Sequence, residues 1–283
     1  MHIPIVSVTT SDKLELYGML LESKKKDSVI INIHGTADNF FTNKFIREIA
    51  KEVSLLNISM LSVNNRGTYG LDVYQKVGAA VEIFEKCVID IDAWIAYALK
   101  LGYKNIILQW HSLGTEKIVY YMKKWKYKNK VQAIILLAFA DSFGTQQQFL
   151  QQTKVNPMSE AKSLVKQKKW YQFLAKKWLA HAGVLPKSAE SYINFFSPNS
   201  QLSLALPLRQ WKDLQFYKSI KVPILGVIGD QDEYTVIPIK KAIELLKKEN
   251  DQAKIYQLKN CDHDFTGKAK QLAKIAKIFL KNI

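Results

Sequence analysis

Short apolar runs alternate along this chain with longer stretches of helical rhythm. The runs at 28–33, 59–63, 105–108, 131–139 and 222–228 are nearly continuous Ile, Val and Leu, as parallel strands buried on both faces are. Residues 13–21 instead alternate apolar and polar, the pattern of a half-buried strand, and 254–258 reads as one more strand. Between these lie helical segments. The clearest spans 82–101, where Phe84, Cys87, Val88, Ile91, Trp94, Ile95 and Ala98 recur at i, i+3, i+4 spacing. Others are expected over 113–126, 238–249 and 267–281. Strand–helix alternation predicts an α/β fold, a mainly parallel sheet with helices on both faces.

The rhythm breaks between 141 and 207. Nearly 70 residues without a strand pattern is too long for a plain loop. The stretch is read as a helical insertion, a lid, with helices near 159–168 and 169–181. The expected organisation is therefore a core over 1–140, the insertion over 141–207, and the rest of the core over 208–283.

Composition narrows the field. With 283 residues and 48% apolar content the chain needs no disulfide staples, and disorder, collagen and coiled coil are excluded. Cys87 and Cys261 are too few and too scattered for a disulfide framework or zinc site. The beginning, MHIPIVSVTTSDKLEL, lacks a signal-peptide pattern, and no apolar run reaches the ~18–20 residues that span a bilayer. A soluble, cytoplasmic protein is expected. The net charge of +16 invites a nucleic-acid reading, but 41 − 3 = 38 of the basic residues are lysines. Arg47, Arg66 and Arg209 alone cannot supply the bidentate contacts on which such readers rely, so no nucleic-acid partner is expected.

Four polar clusters fall where strands end, the place where open α/β sheets bind ligands. Gln109-Trp110-His111-Ser112-Leu113-Gly114 leads from a strand directly into a helix. On such a corner a serine hydroxyl projects into the crevice beside a helix N-terminus. Alternatively, Ser112 caps the helix. The usual pattern is G-x-S-x-G, and Trp110 replaces its first glycine. His34-Gly35-Thr36 follows the strand at 28–33. In an acyl-transfer site, the Thr36 and Leu113 N–H groups would hold an oxyanion. Gly229-Asp230-Gln231-Asp232 follows the strand at 222–228, with Asp232 the first candidate to orient a histidine and Asp230 the second. His263, in Asn260-Cys261-Asp262-His263, is placed to act as general base, or else to cap the last helix. Cys261 reads as packing, because no base accompanies it.

Serine, aspartate and histidine appear in that chain order, each at a different strand end, with the His-Gly loop upstream. That order is the α/β-hydrolase one. Over nearly its whole length the sequence resembles this superfamily, most of all its small esterase-type members. The resemblance rests on TSDKLELYGMLLE, VIINIHGTADNFFTNKF, NNRGTYG, HSLG and GDQDEYT. It implies a Ser112–His263–Asp232 triad, hydrolysis through an acyl-enzyme, and no metal or organic cofactor. Arg66, where many members carry D-x-R-G, is implied to serve the loop. A serine nucleophile argues against the similar haloalkane dehalogenases and epoxide hydrolases, which use aspartate.

The leading expectation is hydrolysis of a small or medium acyl or aryl ester. Thioesterase, lactonase, amidase or acyltransferase chemistry stays open, as does a non-catalytic binding protein on the same scaffold, the reading that Trp110 favours. His34, Trp110, Phe143 and Tyr234 are candidates for the substrate pocket, along with further insertion aromatics. Eight insertion lysines (154, 162, 166, 168, 169, 176, 177 and 187) against Asp141, Glu160 and Glu190 leave 8 − 3 = +5 there, a field expected to draw in anionic substrates. Lysines at 123, 124, 126, 128 and 130 and along the last helix are read as a helix end and a solvated face.

Overall fold

Each buried apolar run forms a strand in the computed structural model, which describes residues 4–176, 178 and 185–283. The strands are β1 (Ile5–Thr9), β2 (Glu15–Leu21), β3 (Ser28–Ile33), β4 (Ile58–Val63), β5 (Asn105–His111), β6 (Val131–Leu137), β7 (Ile224–Gly229) and β8 (Ala253–Leu258). They form one sheet in the order β1-β2-β4-β3-β5-β6-β7-β8. β1 and β2 are antiparallel to their neighbours, and the rest of the sheet is parallel. The helices are α1 (Lys44–Ser54), α2 (Cys87–Lys100), α3 (Leu113–Lys124), α4 (Ser142–Thr153), α5 (Pro157–Lys166), α6 (Ala189–Phe196), α7 (Gln201–Ala205), α8 (Gln215–Lys218), α9 (Ile239–Glu249) and α10 (Ala269–Lys281).

The period-2 alternation of each strand divides the core in two. Val29, Ile31 and Ile33 of β3 join Trp94, Ile118 and Leu246 in one layer, under α2, α3 and α9. Ile30 joins Ile49, Phe279 and Leu280 in the other, under α1 and α10. Neighbouring strands β4-β3-β5 reverse the direction in which the sheet is wound. A crevice is therefore expected beyond the carboxyl ends of β3 and β5.

Segment 141–207 lies between β6 and β7 and holds α4 to α7. The helix expected over 169–181 is not found at 169–176, which form turns and bends; residues 177 and 179–181 lie outside the described residues. Its Trp170, Phe173, Leu174 and Trp178 mimic a helical stripe, but Trp170 and Phe173 face outward. The backbone pairs instead with 187–189: Leu174 N–H donates to Lys187 O (2.9 Å) and Ala189 N–H to Gln172 O (3.0 Å). Tertiary partners thus outcompete local helix formation. The base of the segment is clasped by buried ions. Asp141 accepts from Gly144 N–H to cap α4 and pairs with Arg209 at 2.6 Å, where the segment ends. Glu116 of α3 accepts from Ser142 N–H (3.0 Å), which ties α4 to α3.

Lys187 is not on the surface with the other described insertion lysines. It is buried, donating to Ala79 O (2.9 Å) with Nζ 3.6 Å from the centre of the Phe195 ring. Burial lowers its pKa from 10.5 to about 7, against the favourable charge of Glu82. Between those values the unfolded chain holds a proton that the folded chain has released, so this group makes stability rise with pH. The slope is at most about 1.4 kcal/mol per pH unit. Lys187→Met is expected to remove the slope: the stability of the parent relative to the variant climbs from pH 7 to 10 in urea titrations. A constant difference would refute the assignment.

Candidate active site

β3 and β5 run in register, Ile33 beside Trp110, so the His34-Gly35 and His111-Ser112 segments leave the sheet at the same height. Ser112 sits on the corner between β5 and α3 with φ 57° and ψ −132°. A non-glycine residue there is strained by on the order of 1–3 kcal/mol. The strain turns the side chain toward the crevice, and Ser112 makes no capping hydrogen bond to α3. Gly35 is required opposite it, because a Cβ there would lie 3.0 Å from Ser112 Cβ.

Trp110 departs from the usual glycine, and the fold absorbs it locally. A Cβ on Gly114 would lie 1.8 Å from Trp110 Cδ1, so the indole occupies the space that glycine leaves open. Its Nε1–H donates to His34 O at 2.8 Å. Trp110 is fully buried, away from the pocket expected of it. His34, also expected in the pocket, is buried too. Gly35 O can only accept, so the proton of the 2.7 Å contact belongs to His34 Nδ1. Nε2 then accepts from Asn65 N–H (3.3 Å), beside the Thr68 hydroxyl, whose own proton goes to Asn65 O (2.6 Å). Burial lowers the His34 pKa to about 3 and keeps the ring neutral. The loop after β3 is thus held at the His34 carbonyl and at its ring. Leu113 opens α3, so its N–H has no intrahelical acceptor, and Thr36 N–H is unbonded among the described residues.

Asp232 and His263 stand on two loops zipped together. Asp230 N–H donates to Leu258 O (2.9 Å), Gln231 N–H to Cys261 O (3.0 Å), and Cys261 N–H to Asp230 Oδ1 (3.0 Å). Asp230 therefore braces the histidine loop. Gly229 lets it pass, since a Cβ there would meet Cys261 O at 2.1 Å. Asp232 reaches His263 Nδ1 at 2.8 Å through Oδ2, while its Oδ1 accepts from Tyr234 N–H. The carboxylate fixes the proton on Nδ1 and leaves Nε2 as the free base. His263 does not cap α10, which begins at Ala269. Burial pushes the Cys261 thiol up to about 11, consistent with a packing role.

His111 completes the floor and was not singled out by the sequence. Its ring lies 4.7 Å from that of His263, and its Nε2–H donates to His263 O (2.9 Å). Burial, with the neighbouring His263, lowers its pKa to about 3. It joins the residue beside the serine directly to the histidine loop. Its position immediately before Ser112 was the only signal in the sequence.

Tyr234 is half-buried, its ring 4.6 Å from that of His263. It is the one pocket candidate placed beside the Asp232–His263 pair. Phe143 is buried under the Arg209 guanidinium, 4.6 Å from the ring centre. Arg66 is held by Asp90 and Asp12, bracing the loop after β4. The loops that carry His263 are acidic, with Asp230, Glu233, Asp262 and Asp264 around the pair, and Asp264 lies 4.0 Å from His111 Nε2. The charge nearest the histidine is thus opposite to the field expected of the insertion. A groove of about 550 Å³ lies elsewhere, between the insertion and the 76–86 loop, and none of Ser112, Asp232 and His263 lines it. Among the described residues, no group of three or more His, Cys, Asp or Glu is placed to hold a metal ion. Nor is any helix there long and apolar enough to cross a membrane.

Solved structures share this architecture end to end. Est1E from Butyrivibrio proteoclasticus with bound ferulic acid aligns with a TM-score of 0.69 at 16% identity, covering 98% of each chain. The Pyrococcus furiosus esterase Pf2001 aligns at 0.61 and 16% identity over 99% of this chain and 91% of its own. The α/β hydrolase GrgF from Penicillium sp. sh18 aligns at 0.68 and 16% identity over 100% and 99%. No curated protein matches the chain. The sheet order, the serine corner and these structures make the fold that of the α/β hydrolases, and a match over residues 6–274 shows that the chain belongs to DUF1749, a family of proteins of unknown function.

Proposed function

We propose that the protein is a serine hydrolase that cleaves small or medium acyl or aryl carboxylic esters through an acyl-enzyme. The observation that carries this reading is the strained Ser112 corner at the winding reversal, in a fold whose Asp232–His263 pair is hydrogen-bonded at 2.8 Å. His263 Nε2 takes the Ser112 hydroxyl proton as Oγ attacks the ester carbonyl carbon. Thr36 and Leu113 N–H groups hold the resulting oxyanion. The C–O bond to the alcohol breaks, and His263 returns the proton to the departing oxygen. Water then repeats the sequence on the acyl-serine and releases the acid. Ser112 Oγ and His263 share no hydrogen bond among the described residues; in this reading the bond forms as substrate closes the site. Residues 141–207 serve as the lid, with Tyr234 beside the reacting carbonyl. Est1E with its ferulic acid supports the aryl end of the range. Trp110, whose replacement of the usual glycine favoured a non-catalytic scaffold, is buried and hydrogen-bonded to His34 O.

Labelling with a fluorophosphonate tests the proposal. Stoichiometric modification of Ser112, located by peptide mass, is expected. An unmodified serine in folded protein would sink the reading. A panel of esters, thioesters, lactones and amides with competing alcohols then sorts hydrolysis from transfer.

A further inference from the structure

Two surface segments outside the candidate active site form one face. The 72–77 turn is closed by paired N–H···O bonds between Asp72 and Val77, and Asp72 Oδ1 accepts from Tyr74 and Gln75 N–H. That turn holds Val73 65% and Tyr74 94% exposed. Beside it the 170–173 stretch presents Trp170 and Tyr171, with Tyr171 68% exposed. Ser188 N–H donates to Ala80 O (2.8 Å), and Glu190 N–H to Trp170 O (3.0 Å), so the 188–190 backbone bonds both to Trp170 and to Ala80, three residues beyond the 72–77 turn. Val77, Lys76, Trp170 and Tyr171 line the same 550 Å³ groove.

Large apolar side chains held outward by turns that hydrogen bonds close are not solvent accidents of a floppy tail. Contiguous exposed apolar surface marks a place of contact. The chemistry here is specific. Trp and Tyr carry an apolar body and a polar tip, the combination that settles at the boundary between headgroups and acyl chains. Lys76, Lys86, Lys168 and Lys169 are exposed around them, and none pairs with a carboxylate among the described residues. Cations fringing amphipathic aromatics complement an anionic lipid surface.

We propose that the face formed by the 72–77 turn and the 170–173 stretch docks the protein on an anionic phospholipid surface. Trp170 and Tyr171 line one groove with Lys76, Val77 and Lys86, and Val73 and Tyr74 stand on the same exposed turn as Lys76. Docking there needs no ester chemistry, so its failure leaves the hydrolase reading untouched.

Sedimentation with vesicles of phosphatidylcholine and phosphatidylglycerol, about three parts to one, tests this with the full chain. The protein is expected to partition onto these vesicles at about 0.1 M salt. Partitioning should fall about tenfold on pure phosphatidylcholine and fall again as salt rises. Tyr74→Ala/Trp170→Ala/Tyr171→Ala should lower it about tenfold with Tm unchanged, since these side chains are outside the core. Three results would overturn the proposal. One is protein left in the supernatant with anionic vesicles. Another is a triple variant that binds like the parent, which would move binding to another basic face. The third is a concentration-dependent dimer, without vesicle binding, that the same substitutions abolish; that would make the face a contact between copies of this chain.

Discussion

Ser112→Ala is expected to lower ester turnover by about 10⁴- to 10⁶-fold with little change in KM. In the proposed reaction the hydroxyl supplies the bond-forming atom, so its loss acts on the transition state and not on substrate binding. The residual rate supplied by the proposed oxyanion donors, Thr36 and Leu113 N–H, should still exceed the rate in water. The fold should survive, because alanine keeps the backbone of the corner and loses one half-buried hydroxyl that makes no capping bond. A second variant separates chemistry from strain. Ser112→Gly can hold φ 57° without penalty, and is expected to be as inactive as alanine but more stable by about 1 kcal/mol. Turnover of a p-nitrophenyl ester and urea midpoints measure both effects. Full activity in Ser112→Ala would end the assignment of the nucleophile.

Gly114→Ala is the second large effect, and it comes from packing. The new methyl would sit 1.8 Å from Trp110 Cδ1 and 2.3 Å from Nε1, inside the indole itself. Either α3 lifts from β5 or the indole leaves its slot and gives up its bond to His34 O. Both routes displace the loop carrying Thr36. A loss of about 3 kcal/mol or more is expected, since overpacking a closed core is costly, and activity should fall with it. The cause is testable by a double-mutant cycle. In a Trp110→Gly background the obstruction is gone, and Gly114→Ala should then be neutral or stabilising by up to about 1 kcal/mol, as alanine is preferred in a helix. Equal costs in the two backgrounds would show that the indole is not what excludes the methyl.

Much of the fold was legible because burial on both faces leaves a strong local mark. The runs at 28–33 and 131–139 contain too few polar residues to face water, and α2 and α10 show one-sided stripes. The insertion was harder. Trp170, Phe173, Leu174 and Trp178 have helical spacing, yet the 170–174 backbone is satisfied by residues 187–190, a long-range choice that local rhythm does not record. Burial of charge was similarly hidden. Lys187 reads as one more surface lysine until Phe195 and Ala79 O are seen around its amine.

At the candidate site the residue types were readable, because serine, aspartate and histidine stand at strand ends in an informative order. Their neighbours were not. His34 and Phe143 read as pocket residues, and the structure buries both. The role of Trp110 depends on Gly114 four residues later and on His34 O from another strand. By itself, then, the sequence determined the strand–helix alternation and the polar residues delivered to the strand ends, both of which follow from local periodicity and chain order. Tertiary structure alone decided the strand order that sets up the crevice, that Asp232, the first candidate, reaches His263 while Asp230 braces the histidine loop, and that His111 bridges serine and histidine loops. Those outcomes depend on which loops lie side by side across the sheet, and distances across a sheet are written in no single stretch of chain.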